Sequence, residues 1–355
     1  MTVRGSRLLA LVLAPVLTLA AVGAGPTYAG ADSASATSAV QVSTRLIVKW
    51  QGYQVHPTYS KVANVPGIGQ VELMCRPNNT ILRIRANDRR AETQMWMAKY
   101  ETKNGTDVVA VKKVRIYTYA TAADDGQGGT GPQAHEGLNQ GTHGIEDYAN
   151  GSAYGVISQR PGRHRPGGGQ LQVPATSFKL TWYWERFAYP GSQYCRMTLA
   201  LNTDTDRQFG LNWHGSVEAE TTSTSSRTIP GLGDALVTCE TGDNGERSVA
   251  LRPPAYDPAA DPEGIGEPYL DYEYIQGEGS RSNPDVLRRY NDLKLDRVTG
   301  LLGPVDLPGN GMMRLWFAPH GSQGPKVGYV LSAYTVPSNR RRPELTTCEV
   351  AAAPI

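Results

Sequence analysis

The sequence predicts an all-β protein that consists of two tandem antiparallel β-sandwiches of jelly-roll-like type, with one short helix inserted in the second. The composition is the first indication, because 39 glycines and 24 prolines in 355 residues favour turns over long helices. The aromatic usage is the second, since 18 tyrosines and six tryptophans against four phenylalanines suit half-buried strands. The third is a set of motifs that occurs twice. Because 39% of the residues are hydrophobic, the chain can fill a core, which excludes wholesale disorder.

The first 29 residues have the features of a secretory signal peptide. Arg4 and Arg7 form a basic start, residues 8–24 are almost entirely apolar, and Ala29 ends a small-residue cleavage site. Beyond this segment no stretch approaches the roughly 18 apolar residues that cross a bilayer. We therefore expect a secreted, extracellular protein without a membrane span. The formal charge of +2 includes those two arginines, so the mature chain is near neutral and nucleic acid is not an expected partner.

Two pairs of segments repeat in the same order along the chain. Residues 65–75 and 229–239 both run from Pro-Gly-x-Gly into an apolar strand that ends on a cysteine. Residues 174–182 and 308–316 both run from a proline to a tryptophan and precede a further cysteine. Such a repeat indicates an internal duplication of a domain rather than a solenoid or a propeller. The predicted boundaries are a signal peptide at 1–29, a flexible arm at 30–44, a first sandwich at 45–205 and a second sandwich at 206–355.

The duplication also predicts how the cysteines pair. Four cysteines in a secreted chain form two disulfides, and the sequence alone allows three pairings. Their wide spacing, without a Cys-x-x-Cys motif, argues against a zinc site. If each sandwich has its own bond, Cys75 pairs with Cys195 and Cys239 pairs with Cys348. Each bond then closes a long loop, which is where a disulfide stabilises most in the chain-entropy model.

Turn residues locate the strands. Asn104-Gly105 is the strongest short hairpin signal and separates predicted strands at residues 94–101 and 107–119. Many short strands with turns at this spacing favour sandwiches, although a barrel is harder to exclude. Further strands are predicted at residues 177–188, 194–201, 327–336 and 346–351.

One helix is predicted at residues 283–295, inside an insertion of the second sandwich that spans about residues 254–304. Asn283 can cap this helix, and Pro284 is tolerated in a first helical turn. Apolar residues then recur at helical spacing. These residues are Val286, Leu287, Tyr290 and Leu293.

The candidate metal ligands lie in a glycine-rich stretch at residues 123–147. His135 and His143 stand there among several carboxylates, and both side-chain types bind divalent ions. The zinc-protease motif needs a second histidine three residues after His135-Glu136, on one face of a helix, but Asn139 stands there. A solvated surface loop is the simpler interpretation, so no cofactor is expected.

Residues 182–186, Trp-Tyr-Trp-Glu-Arg, form the candidate sugar-binding strand. Trp184 could stack on a sugar ring, and Glu185 is the carboxylate that a glycosidase would use together with a second acid. Alternating aromatic residues are also typical of the edge of a core, so both interpretations stay open at this point.

Tyr269, Tyr272 and Tyr274 form a second candidate binding surface, within the acidic run at residues 267–274. Tyrosine is enriched at interfaces between proteins. An ordinary amphipathic strand explains the same pattern equally well.

These observations favour a secreted, non-catalytic binding or scaffold protein, an adaptor subunit that bridges other proteins in an extracellular assembly, including an antibacterial one. Cores, turns and cysteines are duplicated, whereas no constellation of polar residues is. The arm and the loops would supply the interface, the arm by adding a strand to a partner's sheet. One alternative is a carbohydrate- or cell-wall-binding module whose partner is a polysaccharide. Another is a secreted hydrolase or metal-dependent enzyme, with His135 and Glu185 as the residues to test.

Overall fold

The part of the chain that the structure describes consists mainly of strands, and several of them alternate between buried and exposed residues. The computed structural model describes residues 39–53, 60–75, 81–87, 92–103, 106–117, 137–139, 150–160, 169–185, 188–214, 223–240, 247–276, 286–336 and 347–355. These residues contain twenty strands and no α-helix. The first ten strands are β1 (Gln41–Gln51), β2 (Ser60–Val65), β3 (Gly69–Met74), β4 (Ile81–Ala86), β5 (Glu92–Lys103), β6 (Thr106–Tyr117), β7 (Gly137–Asn139), β8 (Asn150–Arg160), β9 (Thr176–Glu185) and β10 (Tyr194–Asp204). The other ten are β11 (Phe209–His214), β12 (Ser223–Ile229), β13 (Gly233–Cys239), β14 (Arg247–Arg252), β15 (Tyr269–Gln276), β16 (Val286–Lys294), β17 (Leu302–Asp306), β18 (Asn310–Ala318), β19 (Val327–Val336) and β20 (Thr347–Pro354).

Strand β9 illustrates why these segments are strands. It buries Phe178, Leu180 and Trp182 on one face, while Lys179 and Thr181 between them are exposed on the other. This period of two matches a strand with one face on a core and the other turned away from it.

The strands form four antiparallel sheets, and their order is the same in both halves. Sheet A has the order β1-β10-β9-β8-β5-β6, and sheet B has the order β2-β3-β4-β7. Sheet C has the order β11-β20-β19-β18-β15-β16, and sheet D has the order β12-β13-β14-β17. Each strand of sheets C and D therefore takes the place of the strand ten positions earlier. The all-β class with antiparallel sheets is confirmed.

The four sheets are stacked in the order B, A, C, D, with an apolar core between each pair of neighbours. One core lies between sheets A and B, and a second lies between sheets C and D. A third and smaller core lies between the two large sheets, where Trp96 and Val156 of sheet A meet Met312 and Val330 of sheet C. Residues 39–355 accordingly form one compact unit. None of the described residues belongs to a helix long and apolar enough to cross a membrane.

The predicted cysteine pairing is confirmed. Cys75 is bonded to Cys195 and Cys239 to Cys348, with Cα atoms 6.2 Å and 6.5 Å apart. All four cysteines are buried in the cores between a small sheet and a large one. Each bond therefore connects the two layers of one half.

The predicted helix at residues 283–295 is wrong. Val286–Lys294 is strand β16, which pairs with β15, and residues 277–285 lie outside the described residues. A β-bulge before Asp292, which has φ of 62°, shifts the alternation, so that Tyr290 and Leu293 both turn toward the core between sheets C and D. Two core-facing residues three positions apart have the spacing of one helix face. This spacing is the reason why the apolar pattern predicted a helix here.

The predicted boundaries also change in two places. Strand β1 pairs with β10 from Gln41 onward, so residues 41–44 of the predicted arm are part of sheet A. Strands β15 and β16 take the places in sheet C that β5 and β6 take in sheet A. Residues 269–276 and 286–294 of the segment predicted as an insertion at 254–304 are therefore part of sheet C. Residues 1–38, with the predicted signal peptide and most of the arm, lie outside the described residues.

Candidate functional site

A pocket of about 540 Å³ lies between the two large sheets, beside the small core that joins them. We call it the cleft. One wall comes from β1, β5, β8, β9 and β10 of sheet A, and the other comes from β16 and β18 of sheet C together with Ile355. A pocket of this size between two structural units is the usual kind of place for a ligand.

The charged side chains among the described lining residues of the cleft are all cations. Lys179, Arg289 and Arg314 line it, and no carboxylate side chain is among its lining residues in the described part of the chain. Uncharged polar groups complete the lining. Two of them, Ser177 and Asn202, donate hydrogen bonds to the carbonyl oxygen of Pro354, which fixes the end of β20 against sheet A. The lining side chains thus carry three positive charges, and two of these, on Arg289 and Arg314, are paired with the buried carboxylate of Glu273.

Glu273 lies behind the arginines and fixes them. The strand register places it directly opposite Arg314 on β18 and opposite Arg289 on β16. Its side chain is only 3% exposed. Arg314 donates a hydrogen bond to Oε2, and Nε of Arg289 lies 3.4 Å from the same oxygen. Charge-assisted pairs of this kind orient a guanidinium more firmly than neutral hydrogen bonds do.

The other oxygen of Glu273 is held by sheet A. The hydroxyl groups of Tyr100 and Tyr154 both donate to Oε1, the second over 3.1 Å, and the two phenol oxygens lie 2.9 Å apart. The Tyr100 and Tyr154 rings stack with their centroids 5.7 Å apart. One carboxylate thus bonds to both large sheets.

The protonation states of this cluster are fixed near neutral pH. Burial alone would raise the pKa of Glu273, but hydrogen bonds from Tyr100 and Arg314 outweigh it and hold the pKa below its ordinary value. Burial and the hydrogen bond to Glu273 raise the pKa of Tyr100 to about 12. Burial also raises the pKa of Tyr154. The carboxylate is therefore ionised and both phenols are protonated, so the cluster has no proton to exchange at neutral pH.

Arg314 is held between aromatic rings as well as by Glu273. Its guanidinium carbon lies 4.0 Å from the ring centroid of Tyr154 and 5.1 Å from that of Trp316. Stacking and ion pairing restrict this side chain before any ligand arrives, which lowers the entropy cost of binding.

The positive surface continues from the cleft along the face of sheet A that is turned away from sheet B. Lys49 lies directly opposite Arg196, and both are exposed. Arg45 lies opposite Ala200, whose neighbour on the other side is Lys179. The cleft is therefore the deep end of a longer cationic face.

Trp184 lies in the core and not on the surface. It is 3% exposed and its ring centroid is 6.4 Å from that of Trp50, between sheets A and B. This position leaves no ring face for a sugar, so the predicted stacking role is corrected to a packing role. Glu185 follows at the partly exposed end of the same strand.

The predicted tyrosine surface is divided between two faces of β15. Tyr272 and Tyr274 pack against the core between sheets C and D, and Tyr272 stacks on Tyr290 with centroids 4.5 Å apart. Tyr269 lies at the other face, with Nζ of Lys294 and Lys326 at 5.2 Å and 4.9 Å from its ring centroid. The three residues therefore do not form one binding surface.

The two candidate metal ligands, His135 and His143, lie outside the described residues. Within the part of the chain that the structure describes, no group of three or more histidine, cysteine or acidic side chains could hold a metal ion.

The sequence did not predict the cleft, because the residues that form it are far from one another along the chain. Tyr100, Glu273 and Arg314 belong to three strands in two halves of the chain. The available signal was a charge within an otherwise apolar or aromatic strand: Glu273 lies in Tyr-Leu-Asp-Tyr-Glu-Tyr-Ile, and Arg314 in Met-Met-Arg-Leu-Trp-Phe. A buried charge at such a position needs a partner, and this is what the two residues provide for each other.

The fold and the cleft together define an all-β protein of four stacked antiparallel sheets with a cationic site between the two inner ones. Comparison with models of protein families, with curated proteins and with solved structures finds no match to this chain.

Proposed function

We propose that the protein is a secreted, non-catalytic binding protein, an adaptor that bridges other proteins in an extracellular assembly, including an antibacterial one. The cleft binds an acidic segment of one partner. The observation that carries this proposal is the set of three cations, Lys179, Arg289 and Arg314, around a preformed pocket whose described lining has no carboxylate side chain.

The two disulfides support an extracellular location, because such bonds persist in oxidising compartments. The apolar stretch after Arg4 and Arg7 supports export by a signal peptide. The equal strand order of the two halves supports an internal duplication of one sandwich.

The state of Glu273 favours binding over hydrolysis. A general acid in a glycosidase needs a raised pKa, and a second carboxylate must stand across the substrate. The pKa of Glu273 is lowered instead, and both of its oxygens already accept hydrogen bonds. Its role here is to hold Arg289 and Arg314 in place.

The layer order supports a bridging role. Sheets B and D are the two outer layers and face away from each other, while the core between sheets A and C fixes their relation. A rigid body of stacked sheets can hold a partner in the cleft at a set distance from a second partner, which a flexible linker cannot do.

The test is the mass of the protein as its own host secretes it, measured by size-exclusion chromatography with light scattering and mass spectrometry of the peak. We expect a mass well above that of one chain, with other proteins present. The variant Lys179→Glu/Arg289→Glu should elute as a monomer. The matched control is Lys61→Glu/Arg252→Glu, which reverses two exposed cations on sheets B and D and should keep the partner.

A monomeric wild-type protein without associated chains would overturn the adaptor proposal. Retention of the partner by the Lys179→Glu/Arg289→Glu variant would show that the cleft is not where the partner binds.

A further inference from the structure

Two exposed tyrosines lie together at the end of sheet A where β1 ends and where β9 turns into β10. Tyr53 follows β1 and is 71% exposed, and Tyr189 lies in the turn before β10 and is 66% exposed. Two large aromatic side chains this exposed and this close together form a candidate contact surface.

The backbone beneath the two rings is tightly built. The N–H of Gly52 donates to the carbonyl oxygen of Gln193 over 2.8 Å, which ties the end of β1 to the turn. Gly52 has φ of 44°, and a Cβ at this position would lie 2.4 Å from the carbonyl oxygen of Gly191. Only glycine allows this approach. Tyr53, directly after Gly52, and Tyr189, two residues before Gly191, are therefore attached to a rigid base.

Gly191 brings the two rings to one place. A Cβ on Gly191 would lie 2.7 Å from Cε1 of Tyr189 and 3.2 Å from Cε2 of Tyr53. Both rings thus border the space that this glycine leaves open, and together they form one small apolar surface. We call Tyr53, Gly191 and Tyr189 the tyrosine platform.

Polar side chains are among the described neighbours of the platform. Gln51 and Ser192 are exposed and Glu185 is partly exposed, and the strand register places Gln51 and Glu185 on either side of Tyr194 in one row across sheet A. An interface with another protein normally needs about 800 Å² on each side with an apolar centre. The two rings by themselves offer much less area than that, and they match one or two sugar rings.

We propose that the tyrosine platform is a binding site for an uncharged saccharide. The C–H face of a pyranose ring is apolar and packs on an aromatic ring, while its hydroxyl groups need hydrogen-bonding neighbours such as Gln51, Ser192 and Glu185. This site is separate from the cleft and has a different ligand. It also relocates the predicted sugar-binding aromatic from buried Trp184 to surface residues.

The test uses cellohexaose and chitohexaose as probes, preceded by an array of uncharged glycans, with affinities measured by titration calorimetry. We expect binding to at least one hexasaccharide and about a tenfold loss of affinity in Tyr53→Ala and in Tyr189→Ala. The variant Gly191→Ala should lose affinity as well, because its Cβ displaces both rings without removing them.

The control is Tyr290→Ala, which removes a tyrosine that is 41% exposed and stacks on Tyr272 at the edge of sheet C. It should bind the hexasaccharide as the wild type does. The cleft variant Lys179→Glu/Arg289→Glu should also keep wild-type affinity for the hexasaccharide. A failure of the adaptor proposal can therefore be distinguished from a failure of the saccharide proposal. Melting curves check that each variant is folded.

Three results would overturn the saccharide site. The first is the absence of binding to every uncharged glycan, the second is an equal loss in Tyr290→Ala, and the third is binding of decaproline in place of any glycan.

Discussion

At the scale of single residues, Glu273 connects the two halves of the molecule. It accepts hydrogen bonds from Tyr100 and Tyr154 of sheet A and pairs with Arg289 and Arg314 of sheet C. Its carboxylate is almost fully buried, so these four partners replace the water that it loses. Removal of its charge leaves two arginines without an anion.

We expect Glu273→Gln to lower the free energy of unfolding by about 3 kcal/mol at pH 7, the usual cost of breaking a buried pair. Urea denaturation measures this loss. The control is Glu263→Gln, since Glu263 is an exposed carboxylate and its change should cost about 0.5 kcal/mol or less. Equal losses in the two variants would show that the contacts of Glu273 stabilise the fold no more than those of an exposed carboxylate.

The difference in unfolding free energy between the wild type and Glu273→Gln should also depend on pH. The pKa of Glu273 is lowered in the folded state, whereas in the unfolded chain it is about 4.3. On acidification the unfolded state therefore binds the proton first, and the stability from Glu273 is lost as the pH falls through the folded-state pKa. The difference between wild type and Glu273→Gln should be constant from pH 7 to about pH 5 and should shrink below about pH 4. An undiminished difference at about pH 3 would contradict this.

Trp184 is a second single residue with a large expected effect on stability, and its role is structural. It is buried against Trp50, so Trp184→Ala leaves a large cavity between sheets A and B. We expect a loss of about 4 kcal/mol in the free energy of unfolding, measured by guanidinium denaturation. The affinity of the folded variant for a hexasaccharide should stay at the wild-type value. A specific loss of sugar binding without a loss of stability would return Trp184 to a binding role.

At the scale of elements, the Pro-Gly-x-Gly turns show how one local sequence sets one hairpin in each half. Gly67 has φ of 71° and Gly231 has φ of 72°, and they hold the same position between β2 and β3 and between β12 and β13. The second glycine of each turn, Gly69 or Gly233, starts the following strand with positive φ. These angles favour glycine at both positions.

The two glycines of one turn should differ in what a methyl group costs. A Cβ on Gly231 meets nothing within 4 Å, so Gly231→Ala should cost only the strain of a left-handed residue, about 1 kcal/mol. A Cβ on Gly233 would lie 2.1 Å from the carbonyl oxygen of Arg252, so Gly233→Ala should cost about 3 kcal/mol or more. Thermal unfolding of the two variants compares them directly. Equal costs would mean that the neighbouring strand moves freely.

Local sequence signals predicted elements well where the period was uninterrupted. The Asn104-Gly105 signal correctly predicted the pairing of β5 with β6. The repeated Pro-Gly-x-Gly segments correctly predicted strands β3 and β13, which end next to Cys75 and at Cys239. The signal failed at β16, because the bulge before Asp292 changes which residues face the core. A bulge depends on the partner strand, and the sequence of one strand does not contain that information.

The cleft could not be predicted for a related reason. Its cations come from β9, β16 and β18, and the carboxylate that orients two of them comes from β15. Their meeting depends on the face-to-face packing of sheets A and C. Tyr272 and Tyr274 suggested a binding surface because the sequence does not show which face of β15 is covered by sheet D.

At the scale of the whole molecule, the small core between the large sheets decides whether the halves unfold together. Ala351 is fully buried in this core on β20, and Ser158 of sheet A donates a hydrogen bond to the adjacent Glu349 over 3.1 Å. Because both apolar and polar contacts cross this boundary, each half is stabilised by the other.

We expect the wild-type protein to unfold in one calorimetric transition and Ala351→Arg to unfold in two. The arginine would place a charge in the core between sheets A and C and separate the halves without entering either of the other cores. Val298→Arg adds the same side chain at an exposed position and should keep the single transition. Two transitions in the wild type would show that the halves are independent.

The bulge in β16 also affects how copies of the protein behave toward one another. Strand β16 is an open edge of sheet C, and a straight open edge invites a strand of another molecule to extend the sheet. Here the N–H of Asp292 is already bonded to Oδ1 of Asp271, and exposed Arg288, Arg289 and Lys294 add charge along the edge. An approaching strand therefore finds neither a straight row of free backbone groups nor a neutral surface. The bulge gave this strand the residue spacing of a helix. For the same reason it hinders the addition of further strands to this edge, and thus growth into fibrils.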